Sequence, residues 1–227
     1  MSCHPVAYCK AECALIPWCQ MSETHQRKQP KKTPHTIALT GGLCSGKSAV
    51  ARWLRAQGWP VLDLDQVARE VVRPGQPTLA AIVAAFGTEI LHADGSLNRA
   101  KLRQIIFNDA HARKRLETIT HPAIEAAVRQ WLAQQQHRTV FIEIPLLAEK
   151  GKPDYVDAVW VVDCDEAQRR QRCIERGLDE ETFARICAAQ AERKTRLALA
   201  DVVIDNSGAW SRTQAQLQRL IAPLPRP

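Results

Sequence analysis

Eight consecutive residues, Gly41-Gly42-Leu43-Cys44-Ser45-Gly46-Lys47-Ser48, match G-x-x-x-x-G-K-[ST] and sit between an apolar, β-prone run (Ile37, Ala38, Leu39) and a helical pattern that begins near Lys47. A strand that turns through glycines into a helix N-terminus gathers backbone N–H groups and the positive end of the helix dipole at one spot, where a phosphate binds. Lys47 is then placed to reach β- and γ-phosphate oxygens, and Ser48 to hold Mg2+. A plain glycine turn would need neither the lysine nor this order of strand and helix. The chain is therefore expected to bind a nucleoside triphosphate through a phosphate-binding loop, the P-loop, and to fold as an α/β domain around it.

The 227 residues suit one α/β domain with a small appended subdomain. Charged residues interrupt every apolar stretch before it reaches the length of a membrane span, so no membrane partner is expected and a soluble, cytoplasmic protein is. The net charge of +7 suits nucleic acid, and equally an enzyme whose substrates carry phosphates. No basic stripe with interleaved aromatics is present, which argues against a nucleic-acid partner.

Residues 1–35 differ from the rest. Cys3, Cys9, Cys13 and Cys19 are spaced C-x5-C-x3-C-x5-C, without the close pairs of a zinc ribbon, and His4 and His25 do not have finger spacing. Lys10 and Glu12 interrupt any signal-peptide core. The stretch 22–35, with Lys28, Pro30, Lys31, Lys32 and Pro34, is too polar to fold alone and is expected to be a disordered arm. Met21 is favoured as the true initiator, because fold signals begin only at Thr36. Cys44, Cys164, Cys173 and Cys187 are expected to be reduced thiols.

After the loop, residues 47–57 read as a helix stopped by Gly58, and 59–62 as a buried strand ending in Asp63-Leu64-Asp65. A strand, helix and strand in this order form a right-handed crossover with parallel strands, so both carboxylates emerge at the edge that carries the P-loop. In extended backbone Asp63 and Asp65 share a side and could orient a hydroxyl nucleophile or a metal-bound water. Asp65 is also placed to cap a helix over 66–72. Residues 74–136 are mostly helical, broken at Ala93-Asp94-Gly95-Ser96, with Pro122 expected to end one helix and open another. Such an insertion would stand at the sheet edge as a lid or acceptor-binding subdomain, with Arg99, Arg103 and His121 as its polar candidates. Strands are expected at 139–144, 158–162 and 202–204. Glu143 near the end of the first of these is a candidate outer partner for Mg2+ or, alternatively, an exposed edge residue. Between the last two strands, residues 165–200 carry Arg169, Arg170, Arg172, Arg176, Arg193 and Arg196. Arginine's fork spreads charge off a transferring phosphoryl group. Arg169, Arg170 and Arg185 read as an ordinary ion-paired helical face, and local sequence alone does not single out Arg172, Arg176, Arg193 and Arg196 for phosphate.

From residue 37 to about 220 the chain resembles the dephospho-CoA kinase family. The likeness rests on Leu39-Thr40 leading into the loop, on Asp63-Leu64-Asp65 with Ala68-Arg69 and Val72-Arg73-Pro74-Gly75, and on Phe86-Gly87 with Ala93-Asp94-Gly95-Ser96-Leu97. It continues through Leu102-Arg103, Ile106-Phe107, His121-Pro122, Pro145-Leu146-Leu147 with Glu149, Gln190 and Arg193, Arg196-Leu197, Ala200-Asp201 and Val203-Ile204-Asp205-Asn206.

The resemblance implies a P-loop kinase fold: a five-stranded parallel sheet flanked by helices, a helical CoA domain at about 74–136 and a helical lid at about 165–200, within a kinase domain at 36–222 and before a tail at 223–227. It implies phosphorylation of the ribose 3′-hydroxyl of dephospho-CoA by ATP. In the roles it implies, Asp65 is the base, Lys47, Arg172 and Arg176 act on the phosphoryl group, and Gly41, Gly42, Leu43, Cys44, Ser45, Gly46, Lys47, Ser48, Ala49 and Asn206 hold ATP. Thr40, Asp63, Arg103 and His121 map to the acceptor, and Ser48 to Mg2+.

The family's loop usually has glycine where Cys44 stands. The expectation is that this position is compatible with right-handed helical backbone and tolerates the side chain. Another small-molecule or nucleoside kinase, and a non-catalytic nucleotide- or nucleic-acid-binding protein, remain as alternatives. A GTPase switch lacks its N-K-x-D tetrad after the fourth strand.

Overall fold

The computed structural model describes residues 34–107 and 109–225. The cysteine segment and most of the polar arm thus lie outside the described residues, as does the choice of initiator. Five strands form one parallel sheet in the order β2-β3-β1-β4-β5: β1 (His35–Gly41), β2 (Val61–Asp63), β3 (Thr139–Glu143), β4 (Ala158–Asp163) and β5 (Val202–Asp205). Pairing runs Ile37 with Phe141 and with Ala158, Leu62 with Ile142, and Val161 with Val203. β1 and β3 are buried along nearly their whole length, as strands covered on both faces must be.

Alternation sorts the strand side chains into two cores. Ile37, Leu39, Phe141, Trp160 and Ile204 face α1 (Lys47–Ala56) and α10 (Trp210–Ile221), where Val50, Leu54 and Leu217 meet them. Phe141 lies edge-on between Trp59 and Trp160, with centroids 5.8 and 5.3 Å away. Ala38, Val140, Ile142, Val159 and Val161 face the other way, against Val128 and Leu132 of α5 (Ala110–Gln134). A third cluster of Val72, Ile82, Ile90 and Leu102 is the insertion's own core, built from α3 (Pro77–Phe86), a 3₁₀ turn at Thr88–Ile90 and α4 (Arg99–Phe107).

Pro122 does not divide a helix pair; α5 runs through it for 25 residues. An interior proline costs about 3 kcal/mol. Packing at both ends offsets that cost. Leu116 and Ile119 pack on the insertion's core, while Ile124, Val128 and Leu132 pack beneath the sheet. α5 therefore joins the insertion's core to the core beneath the sheet.

All five strands end at one edge. β1, paired with β3 on one side and β4 on the other, feeds the P-loop from the middle of that edge, the place where open α/β sheets bind ligands. α2 (Leu64–Glu70) and α6 (Leu147–Lys150) start on one side of the loop. On the other stand α7 (Glu166–Glu175), α8 (Glu180–Ala189) and α9 (Arg193–Ala198), the segment expected from the resemblance to act as a lid.

Candidate active site

The loop is held from below by Asn206. Gly46 caps α1 at φ 96, and a Cβ there would sit 2.0 Å from Asn206 Nδ2, so only glycine allows the approach. That nitrogen donates to the Ser45 carbonyl at 2.8 Å, while Thr213 donates to Asn206 Oδ1 at 2.9 Å. Asn206 is thus a buried strut beneath the loop. Ala49 continues the turn, its N–H donating to the Gly46 carbonyl at 2.9 Å. Ser45 Oγ is buried without a partner. Thr40 is buried within β1.

Lys47 is mostly enclosed. Burial pushes its pKa down, and the charges of Glu143, Asp65 and Asp63 pull it back up. Glu143 is no edge residue: it is 4% exposed on an inner strand and accepts from Arg55 Nη2 of α1 at 3.0 Å. Burial raises its pKa, and Lys47 and Arg55 oppose that rise. Each buried charge thus has an opposite charge beside it, as burial of ions requires.

Asp63 and Asp65 are not the extended pair expected from sequence. β2 ends at Asp63, whose Oδ1 accepts from the N–H groups of Asp65 at 2.9 Å and Gln66 at 3.2 Å. The cap of α2 is therefore Asp63, not Asp65. An extended Asp63 satisfies two orphan donors of the first turn, which leaves Asp65 inside that turn with an exposed side chain.

Two clefts open there. The smaller, about 210 Å3, is walled by the entire loop from Gly41 to Ser48 with Arg176 and Gln190. The larger, about 580 Å3, is walled by α2, α5 and the segment from Ile144 to Tyr155, including Leu64, Ala68, His121, Ile124, Lys150 and Lys152. Asp65 and Pro145 line both. His121 Nε2 lies 3.3 Å from Lys150 Nζ. Arg103 is exposed on α4 and lines neither cleft.

The lid arginines divide by partner. Arg172 donates to the carbonyls of Asn206 at 2.9 Å and Ser45 at 3.5 Å, so it grips the loop from outside the cleft. Arg176, one turn on, enters the cleft. Arg193 forks onto Asp163, and Arg170 pairs with Glu180. Arg196 is buried and donates to the Ala191 carbonyl. Arg169 departs from the expected solvated face: it is 6% exposed and its Nε donates to the Leu43 carbonyl at 3.0 Å. A Cβ at Gly42 would meet Arg196 Nη2 at 3.0 Å and Arg169 Cζ at 3.2 Å, so the glycine admits both guanidiniums. The spacing 169, 172, 176 sets three arginines on one helix face and was the available signal. Gln190, whose Oε1 accepts from the Leu43 N–H at 3.1 Å, had no such signal.

Cys44 corrects two expectations. Its φ is 58°, the left-handed region that disfavours a Cβ, so the position is not right-handed helical. Nor is it a reduced thiol, because Cys44 and Cys173 of α7 form a disulfide with Cα atoms 5.8 Å apart. Cys164 and Cys187 are free.

A phosphate loop at the centre of a parallel sheet, an exposed carboxylate between two clefts and an arginine-bearing lid define a P-loop kinase. The sequence signature described as dephospho-CoA kinase matches residues 35–211, and the chain belongs to that family. Dephospho-CoA kinases of Shouchella clausii and Geobacillus kaustophilus are each 44% identical to it, covering 82% of this chain and 96% and 94% of theirs. Among solved structures, a Thermus thermophilus protein superposes with a TM-score of 0.74 at 31% identity, covering 84% of this chain and 98% of that one. Dephospho-CoA kinase from Campylobacter jejuni shares the fold at a TM-score of 0.63 and 23% identity, covering 82% of this chain and 94% of its own.

Proposed function

We propose that the protein transfers the γ-phosphoryl group of ATP to the ribose 3′-hydroxyl of dephospho-CoA, giving coenzyme A and ADP. The observation that carries this reading is the position of Asp65, an exposed carboxylate where the triphosphate cleft meets the larger cleft. Family membership names the acceptor, and the larger cleft offers apolar walls (Leu64, Ala68, Ile124) with lysines at its rim.

ATP would lay its β- and γ-phosphates in the loop, against the amides and Lys47, while Arg176 approaches from the lid. Asp65 takes the proton as the 3′-oxygen bonds to phosphorus and the bond to the β-bridging oxygen breaks. Holding the two partners in line supplies much of the acceleration, and positive charge on the transferring group supplies much of the rest. Asp63 fixes the turn that presents Asp65, and Arg172 and Asn206 hold the loop. The Ser48 hydroxyl, a hard oxygen donor exposed in a cleft that also holds the Asp65 carboxylate, fits Mg2+. When bound with ATP the ion supplies charge neutralisation on the β- and γ-oxygens.

Among the described residues no helix is long and apolar enough to cross a membrane. A cytoplasmic site of action is part of this proposal.

The test is a coupled assay of ATP consumption with dephospho-CoA, adenosine, shikimate or gluconate as acceptor. Stimulation by dephospho-CoA alone is the expected outcome. Stimulation by another acceptor and not by dephospho-CoA would overturn the assignment.

A further inference from the structure

The disulfide ties the phosphate loop to the helix that follows β4. Cys44 lies in the P-loop and Cys173 on lid helix α7, 129 residues further along the chain. Cys44, 7% exposed, lines the triphosphate cleft with Arg176 Nη1 4.0 Å from its sulfur, and Cys173 beneath it is fully buried. Around them α7 already grips the loop through Arg169 and Arg172, and Gln190 occupies the Leu43 amide. Those are hydrogen bonds, which lid motion can break and remake. A disulfide cannot follow such motion, because it holds its Cα atoms within about 7 Å. Lids of this kind open to exchange nucleotide on every turnover.

We propose that Cys44 and Cys173 form a thiol-modification site that reacts with low-molecular-weight disulfides, clamping the lid onto the phosphate loop and halting turnover until a thiol reductant reopens it. This rests on the kinase reading only in taking the loop as the ATP site. Cys44 is the entry point, since it lines the cleft and Cys173 does not. The Cys44 thiolate attacks one sulfur of R–S–S–R, forming a mixed disulfide and releasing RS⁻. The Cys173 thiolate then attacks the Cys44 sulfur and releases the second RS⁻. The two protein protons end on the two released thiolates, so a dithiol and R–S–S–R become a protein disulfide and two RSH. In a reducing compartment such a bond is transient and regulatory rather than a permanent staple.

The full chain, reduced with dithiothreitol and freed of it, would be treated with glutathione disulfide. Peptide mapping by mass spectrometry should find Cys44 joined to Cys173. ATP turnover, and the dissociation rate of a fluorescent ATP analogue, should each fall at least tenfold and recover with dithiothreitol. A chain with Cys164→Ser and Cys187→Ser should respond in the same way. The proposal is overturned if the linkage does not form, or if it forms stoichiometrically while turnover and dissociation are unchanged. It is equally overturned if the double variant no longer responds. The reduced chain's activity with dephospho-CoA tests the kinase reading separately, and linkage and ATP dissociation remain readable whatever the acceptor.

Discussion

The triphosphate cleft and the larger acceptor cleft share two wall residues, Asp65 and Pro145, and are otherwise built in contrasting ways. The first is one contiguous loop, fixed from below by Asn206 and from the side by Arg169 and Arg172, with Lys47, Asp65 and Arg176 as the charged residues of its wall. The second is gathered from α2, α5 and the segment after β3, and most of its exposed wall is apolar. A triphosphate has one geometry and many charges, so a rigid backbone cradle suits it. An acceptor with a long flexible arm needs area and a few anchor points, which several elements can supply. The contrast predicts that substitutions should separate cleanly into those felt by ATP, those felt by the acceptor, and those at the junction felt by both.

The junction carries the largest effect. Asp65→Asn keeps the size of the side chain and removes the base, and a positioned base contributes about 10²- to 10⁴-fold. We expect kcat to fall by that order, with ATP affinity near normal, as read by steady-state kinetics beside equilibrium ATP binding. An unchanged kcat would take the base role away from Asp65 and dissolve the junction.

Next come the two arginines that the lid helix places on either side of the loop. Arg176→Ala should cost turnover roughly 10- to 100-fold, because it removes a cation from the cleft where charge develops. Its exposed side chain should leave the melting temperature nearly unchanged. Arg172→Ala should do the reverse in proportion. It removes the side-chain donor to the Asn206 carbonyl and the longer of two donors to the Ser45 carbonyl, and should destabilise the fold by about 1–3 kcal/mol, seen as a lowered Tm. Equal losses of turnover without any change in Tm would show that both arginines act on phosphate.

On the acceptor side the expected effect is smaller and selective. Ala68 of α2 lines the larger cleft and not the smaller one. Ala68→Phe should fill part of that space and raise the KM for dephospho-CoA by about tenfold, the order that apolar pocket contacts command. The KM for ATP should stay within twofold, and a comparable rise in it would mean that the clefts are not independent.

The same contrast explains what could be read from the sequence. The P-loop was legible because its chemistry is local: the glycines, Lys47 and Ser48 are neighbours in the chain, and the strands around them are short apolar runs. Asp65 was legible because a crossover must return the chain to the same sheet edge. Its exact setting was not, since Asp63 and Asp65 compete for the cap and the choice depends on where β2 stops. Pro122 misled because local rules see its missing donor and cannot see the two cores that α5 joins. Arg169 and Gln190 reach the loop across more than a hundred residues of chain. Spacing marks Arg169 as sharing a helix face with Arg172 and Arg176 but not the loop it reaches, and it marks Gln190 not at all. Family resemblance pointed to Arg172 and Arg176 together, and of the two only Arg176 lines the cleft.

Cys44 is where local rule and observed backbone conflict most sharply, and it gives the finest test of the loop's rigidity. At φ 58° an L-residue carries a strain of about 1–2 kcal/mol that glycine does not. Replacing the cysteine with either Ala or Gly removes the sulfur, the disulfide and the packing against Phe183 and Leu178. The difference between the two variants therefore isolates the backbone. In most settings Ala is the more stabilising residue, because glycine loses more chain entropy on folding. Here Cys44→Gly should be more stable than Cys44→Ala by about 1 kcal/mol in reversible denaturation under reducing conditions. If Ala equals or exceeds Gly, the loop relaxes out of the left-handed conformation once the sulfur is gone. The cradle would then be held in shape by its bond to the lid, and the rigidity assigned to the triphosphate cleft would belong to the lid instead.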